Sequence, residues 1–428
     1  MRLIVLLFCL SPFLSIGQSA DSLISVLKEI DLTIKKSECA EGQLLSNRGM
    51  NLFMADRVGY YLSDHENLTF CKNNLTFNTA NGLFSMSHSL FEPTGADLPV
   101  RSYHVIGLKA NALNAFHSAT NQSAFNNELG FTYKHFWLSK PQITLHNCNE
   151  KWASDARRAT ILVALQKEIQ EQSSDFEQSL ANIQNLSDPL REELKSNFYK
   201  KIGEEYSREL AEREYRELFE TMRFKKIAMH WTNFNVYIPV IRQRFTVADN
   251  FENNFNIRKS YPAELSISHT RFIETHNATK IYLNFRAGLF ANNSINSKKL
   301  RETNLETYRS LGGKNISYLT DKQLNRFSIG NYENFITPNL KAQFVYFPPE
   351  NHFGISATVE QNFGNFKALN GTIGIPVVLI DKQSAPLTNF EIQIHYFDMT
   401  NSLNSGRTLK DNVSIGISFG QPIGRNVY

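Results

Sequence analysis

The sequence predicts an all-β fold: an antiparallel up-and-down membrane β-barrel of about twelve strands, interrupted by a long helical hairpin. Three observations predict it. Downstream of residue 80 the chain alternates apolar and polar residues in many separate segments. The polar partners in those segments are mostly small and uncharged, and aromatics are abundant, with 32 Phe and 16 Tyr in 428 residues. Between residues 151 and 225 the alternation gives way to a charged stretch with apolar residues at helical spacing.

At the N-terminus, Arg2 precedes the apolar run Leu3 to Leu10, and small Ser15 and Gly17 follow. That order predicts a signal peptide over 1–17, cleaved before Gln18. The run is too short to cross a bilayer, which takes about 20 apolar residues. Cys9 lies inside the run and not at a cleavage boundary, so a lipid-anchored N-terminus is not expected. Residues 18–79 form a partly helical region of their own. Leu23, Ile24, Leu27, Ile30 and Leu32 suit one face of a short helix, and a second helix is expected from about Leu44 to Tyr61. Both are placed to pack against the hairpin or to plug the barrel.

The first barrel strands are expected within 80–150 and the remainder within 226–428. In Ile281 to Leu289 every odd residue is apolar, while the even ones are Tyr282, Asn284, Arg286 and Gly288. The segments Phe84 to Leu90, Phe353 to Glu360, Phe390 to Tyr396 and Val413 to Phe419 alternate in the same way. Successive side chains of a strand point to opposite faces, so each segment has one apolar face and one wet face. Residues 103–112, 129–137, 229–240, 264–273, 339–347 and 370–380 are further strands, with a weaker one at 327–336. Pro376 asks for a bulge or an edge. The Asn- and Lys-rich stretch 291–326 is expected to be a loop turning at Gly312 and Gly313.

The wet faces separate a barrel from a sandwich. A sandwich meets bulk water and favours Lys, Glu and Thr there, whereas this chain places Ser, Gly, Asn, Thr and Gln, as a crowded hydrated lumen requires. Asn284, Arg286, Glu360, Gln393 and His395 are the candidate lumen-facing residues, with His269 and Arg271 as a further pair. Aromatics near strand ends predict a girdle at the membrane–water interface: Phe131, Tyr133, Trp137, Trp231, Tyr237, Tyr346, Phe347, Tyr396 and Phe397.

In the hairpin, Ile161, Leu165, Ile169, Phe176, Leu180 and Ile183 recur mostly at three- and four-residue steps. The series resumes with Leu190, Leu194, Phe198 and Ile202 after Pro189, which suits a first helical turn capped by Ser187 or Asp188. Two antiparallel helices of roughly 35 residues would reach about 50 Å. The bland reading packs the pair on itself and on the barrel mouth; the sharper one makes it an arm for a protein partner. Long loops after 240 and 290 fall on the opposite side from the hairpin. That asks either for a miscounted strand or for a periplasmic arm.

Catalytic chemistry is not expected. The chain has no zinc-protease His-Glu-x-x-His, no phosphate-binding glycine loop with Lys and no nucleophile elbow, and no cofactor or metal site is predicted. His88 stands between Ser87 and Ser89, but neighbours on a strand face opposite ways, so they do not form a triad. The net charge of +4 is spread along the chain without a basic tract, which argues against nucleic acid. Outside the signal peptide remain Cys39, Cys71 and Cys148, enough for one bridge, with Cys39–Cys71 the nearest pair.

On these patterns the chain resembles Gram-negative outer-membrane β-barrel proteins, and its Asn-, Phe- and Tyr-rich flavour resembles those of the Bacteroidota. The resemblance covers residues 80–428 apart from the hairpin and rests on pattern, not on a specific motif. It implies contact with outer-membrane lipid and delivery by a barrel-insertion machinery that recognises the final strand. Ser414, Gly416, Phe419 and the aromatic Tyr428 match such an insertion signal in part. Gln421 to Asn426 depart from it, because Pro422 would interrupt a ladder. A pore, a scaffold and a surface-assembly component all fit this resemblance. A soluble secreted all-β binding protein and a lipid-cleaving barrel are the alternatives.

Overall fold

A computed structural model describes residues 47–58, 71–79, 83–91, 100–111, 129–145, 148–183, 187–220, 224–248, 255–297, 300–310, 317–349, 351–380, 386–403 and 412–423. The expected signal peptide, Cys39, the stretch Leu23 to Leu32 and Tyr428 lie outside these residues.

Twelve antiparallel strands close into a barrel. In wall order they are β1 (Asn73–Asn78), β2 (Leu83–Phe91), β3 (Ser102–Asn111), β4 (Leu129–Leu138), β6 (Phe224–Ile241), β9 (Glu264–Thr275), β10 (Lys280–Asn293), β13 (Asn334–Phe347), β14 (Ile355–Asn362), β15 (Leu369–Ile380), β16 (Pro386–Tyr396) and β17 (Val413–Ile423). β17 returns to β1 with Phe77 opposite Phe419, and β4 meets β6 across the hairpin with Tyr133 opposite Val236. Short β5 (Gln142–Leu145) follows β4 along the same edge of β6. Closure leaves no unpaired edge in the wall, as a strand-built membrane span requires.

The predicted total of twelve holds, but through two offsetting errors. β1 lies in the N-terminal region and was missed, because Asn73-Asn74-Leu75-Thr76-Phe77-Asn78 carries only two apolar residues. The segment 327–336 is no strand of its own; it joins the end of β12 (Ser317–Ile329) to the start of β13. The supposed loop 291–326 also holds β11 (Arg301–Ser310), which pairs with β12. That hairpin joins β7 (Gln243–Ala248) and β8 (Phe255–Ser260) in a separate four-stranded sheet. Polar sequences such as RETNLETYRS present no apolar face to betray them.

Both awkward prolines sit inside ladders. Pro376 pairs with Glu391 on β16, and the register shift in that ladder comes later, at Leu379 and Ile380. The carbonyl of Pro376 accepts from Gly354 N, and the backbone nitrogen of a strand residue points the same way as its carbonyl. Its missing N–H therefore faces the β14 side, where the regular ladder has already stopped at Ser356 and Gly374. Pro422 likewise pairs with Asn74 on β1, beyond the last β16 pair at Asn389 and Gly420. β17 thus runs on to Ile423 instead of stopping near Phe419.

Most outward residues are apolar and bare, as with Ile415 (75% exposed) and Phe285 (61%). The hairpin comprises α2 (Cys148–Ala181) and α3 (Asp188–Glu220). Its N-cap is Ser187, whose carbonyl accepts the first helical hydrogen bond, from Arg191 N. Leu165 and Ile202 are buried between the helices, Ile169 and Phe198 pack against them, and Phe176 stacks on Phe198 at 3.7 Å. An earlier helix, α1 (Asn47–Phe53), runs into a π-helical turn at Met54–Val58.

Register assigns each connection to an end. The hairpin, the start of β1, the end of β17 and the strand ends that bound 92–101, 276–279, 348–354 and 381–385 share one end, called here the arm end. The strand ends at the far end bound 79–82, 112–128, 242–263, 294–333, 363–368 and 397–412.

Candidate functional site

The lumen has two storeys. Towards the far end it is polar, built from alternate residues of neighbouring strands. Glu264 on β9 takes the Lys109 ammonium at 3.3 Å and also pairs with Arg286. Lys109 lies 4.9 Å from the centre of the Tyr237 ring, and Arg286 lies over Phe290 at 5.2 Å. Ser268 donates to Asn233 at 2.7 Å, and Asn284 donates to Thr270 at 2.6 Å. On the opposite wall Glu391 reaches over β15 to Ser356. That reach depends on Gly374, where a Cβ would lie 2.0 Å from the carboxylate oxygen of Glu391. These side chains are almost wholly buried, so the far storey is packed and hydrogen-bonded, not an open bore.

Towards the arm end the lumen turns apolar and holds a plug. Met50, Phe53, Met54 and Val58 from α1 and its π turn are buried against Tyr103, Phe136, Met229, Trp231, Phe272, Tyr282 and Phe347 of the wall. The foot of α3 joins the same cluster, with Phe219 stacked on Phe53 at 5.7 Å. Polar contacts fix the position. Arg57 donates to Glu274 at 2.8 Å and to the Tyr215 hydroxyl at 3.1 Å, and its guanidinium lies 4.6 Å from the Phe219 ring centre. The Tyr282 hydroxyl donates to the carbonyl of Arg57 at 3.1 Å. Burial works against the Arg57 charge, but Glu274 and Tyr215 outweigh it and hold the guanidinium above its ordinary value. Burial raises the Tyr215 phenol, with Arg57 opposing, so it remains a neutral hydroxyl.

The five candidate lumen residues all point inward. Asn284 and Arg286 belong to the bonds above; Glu360 accepts from Asn339 at 3.0 Å; Gln393 accepts from Asn78 at 3.2 Å, and its Oε1 lies 3.0 Å from His395. They occupy both walls of the polar storey and form no single cluster. His269 and Arg271 are the exception: both are exposed on the outer wall. The expected girdle is also split. Phe131, Tyr133 and Trp137 face out, but Trp231, Tyr237 and Phe347 face the lumen, because the plug and the charged residues need partners there. His88 faces out and contacts Asn73 at 2.6 Å, while Ser87 faces in and donates to Asn74 at 2.7 Å. In β17, Ser414 and Gly416 lie on the inward-facing side and Phe419 on the outward one, opposite Phe77 of β1. Cys71 is a free buried thiol, which burial pushes up to about 12, and Cys39, its expected partner, lies outside the described residues. The helix expected from about Leu44 to Tyr61 was placed to pack against the hairpin or to plug the barrel, and α1 with its π turn does both; its individual partners, Arg57 with Glu274 above all, carried no sequence signal.

No protein-family model matches the chain, and no curated protein matches its sequence. Among solved structures, the β domain of the Bordetella autotransporter Brka is similar over 81% of this chain and 95% of that one, at 7% identity and a TM-score of 0.28. A similarity that shallow carries no argument about activity.

Proposed function

We propose that this protein is an outer-membrane β-barrel that is stoppered at its periplasmic end and serves to hold a helical arm in the periplasm for a protein partner. The single observation that carries the reading is the shared cluster in which wall, plug and the foot of α3 meet. Phe53 touches both Phe219 of the arm and Phe272 of the wall, so the arm is rooted in the barrel and not loosely tethered to it. The apolar outer wall supports the membrane placement, and the Asn-, Phe- and Tyr-rich composition supports a Bacteroidota-type origin. Loop lengths support the side: outer-membrane barrels carry short periplasmic turns and longer external loops, and apart from the arm the longest connections, 112–128, 242–263, 294–333 and 397–412, lie at the far end. The packed lumen favours an anchoring role over a resting pore. Insertion through the final strand β17 fits its lumen-facing Ser414 and Gly416 and outward Phe419.

The experiment is photocrosslinking in intact cells from probes placed at Val163 and Glu193, both exposed on the arm. The reading expects the chain in the outer-membrane fraction, migrating faster on gels before boiling than after, and crosslinked to a discrete periplasmic protein. A chain recovered as a soluble product, or an arm without any adduct, defeats it.

A further inference from the structure

The described outer wall is mostly apolar; besides Asn73, His88 and Gln421 on β1, β2 and β17 it carries a polar sector on four other strands. In β3, β4, β6 and β9 the alternation inverts towards the arm end. On β6, inward Asn235 and Asn233 give way to Trp231, Met229 and Ile227, while outward Ile238, Val236 and Phe234 give way to Thr232 and His230. On β9, outward Leu265 and Ile267 are followed by His269 and Arg271; on β3 and β4 the matching outward residues are His104 and His135. The opposite wall does not invert: Ile355, Leu379 and Ile423 keep it apolar and exposed up to the same end.

The polar sector is one connected surface. His230 is the cross-strand partner of Arg271, and Thr232 is the partner of His269, whose Nδ1 lies 3.0 Å from the Thr232 hydroxyl. The His230 and His269 rings are 5.5 Å apart. His104 and His135 follow at 4.4 Å, bordered by Tyr133 and by Trp137, whose ring meets His135 edge-on at 4.3 Å. On their other sides His230 exchanges hydrogen bonds with Ser139 through its backbone N–H and carbonyl, Arg271 faces Leu283 and His269 faces Phe285, none of them acidic. A guanidinium and imidazoles gathered on a lipid-facing wall, beside interfacial aromatics and without a carboxylate among those neighbours, suit an anion from the surroundings.

We propose that His230, His269 and Arg271 form a binding site for the phosphate of an anionic glycerophospholipid in the leaflet at the arm end, with Trp137 and Tyr133 beside its glycerol region. The site rests on the membrane placement proposed above. Native mass spectrometry of the full-length, detergent-purified chain, titrated separately with phosphatidylglycerol, phosphatidylethanolamine and inorganic phosphate, tests it. The expected result is preferential retention of phosphatidylglycerol, weakened about tenfold in the combined His230→Asn, His269→Asn, Arg271→Gln variant and unchanged in Gln421→Ala, which alters the outer wall elsewhere. If the combined variant loses its gel shift on heating, Arg271→Gln alone carries the comparison. Equal retention of the two lipids, or full retention by the variant, overturns the site. Inorganic phosphate held as tightly as phosphatidylglycerol also overturns it, because the ligand is then not a lipid. A chain that needs no detergent and shows no gel shift fails the membrane placement instead.

Discussion

Arg57 ties the plug to both the wall and the arm, so its loss is the sharpest single test of the plug. Glu274 is fully buried, and removing one partner of a buried pair costs about 3–5 kcal/mol. Arg57→Ala should fall at the lower end, because Lys280 is the cross-strand neighbour of Glu274 and remains in place. Limited proteolysis should cut Arg57→Ala within residues 47–58 and spare the wild type; equal protection of the two would mean that the plug does not depend on this pair. On the far wall, Gly374→Ala should cost about 1–3 kcal/mol, since the added Cβ overlaps the Glu391 carboxylate and forces it off Ser356. The temperature at which the gel shift is lost reads this out, and an unchanged temperature would show that Glu391 relaxes without penalty. Neither residue announced itself in the sequence. Arg57 is one cation in a polar stretch, and Gly374 looks like any small lumen residue; only the register reveals that each is crossed by a neighbour.

At the scale of elements, strands and hairpin were legible where one face met lipid or where a helix buried a stripe. β10 and β16 alternate because one face is apolar throughout, and Leu165 and Ile202 recur at helical spacing because they meet. Less legible was β6, whose two halves alternate in opposite phase: the motif Ile227-Ala228-Met229-His230-Trp231 puts the apolar residues inward to receive the plug. That phase change was a visible signal of an apolar lumen storey, but an assumption of one polar lumen hid it. β11 and β12 were illegible for a different reason, since they belong to a sheet apart from the lipid-facing wall. The arm should behave as an element that melts by itself. Leu165→Asn combined with Ile202→Asn should remove about 2–5 kcal/mol per site from its pairing and lower helical circular dichroism while the gel shift persists. Simultaneous loss of both signals would show that the barrel needs the arm to fold. Alkali gives a second handle. Burial and the neighbouring Glu177 raise Tyr199 to about 12, so the folded arm holds this proton more tightly than an unfolded one with a value of 10.0. A raised value gives stability that is fully present below pH 10 and lost as pH rises through about 12. Arm helicity should therefore decline across that window in the wild type and less in Tyr199→Phe; identical profiles would remove Tyr199 from the account.

At the scale of the whole molecule, the proposed orientation rests on topology. β1 begins and β17 ends at the arm end, and apart from the arm the longest connections lie at the other, which supports the proposed orientation. A plug and an arm foot that share buried side chains make the arm-end mouth a joint and not an opening. The central claim is therefore an orientation: arm in the periplasm, second sheet outside. It is tested most directly by replacing the four native cysteines with serine and introducing single cysteines at Glu193 on the arm and Asn331 at the far end, both exposed. A membrane-impermeant maleimide should label Asn331→Cys in intact cells and Glu193→Cys only after the outer membrane is permeabilised, whereas labelling of Glu193→Cys in intact cells would contradict the account.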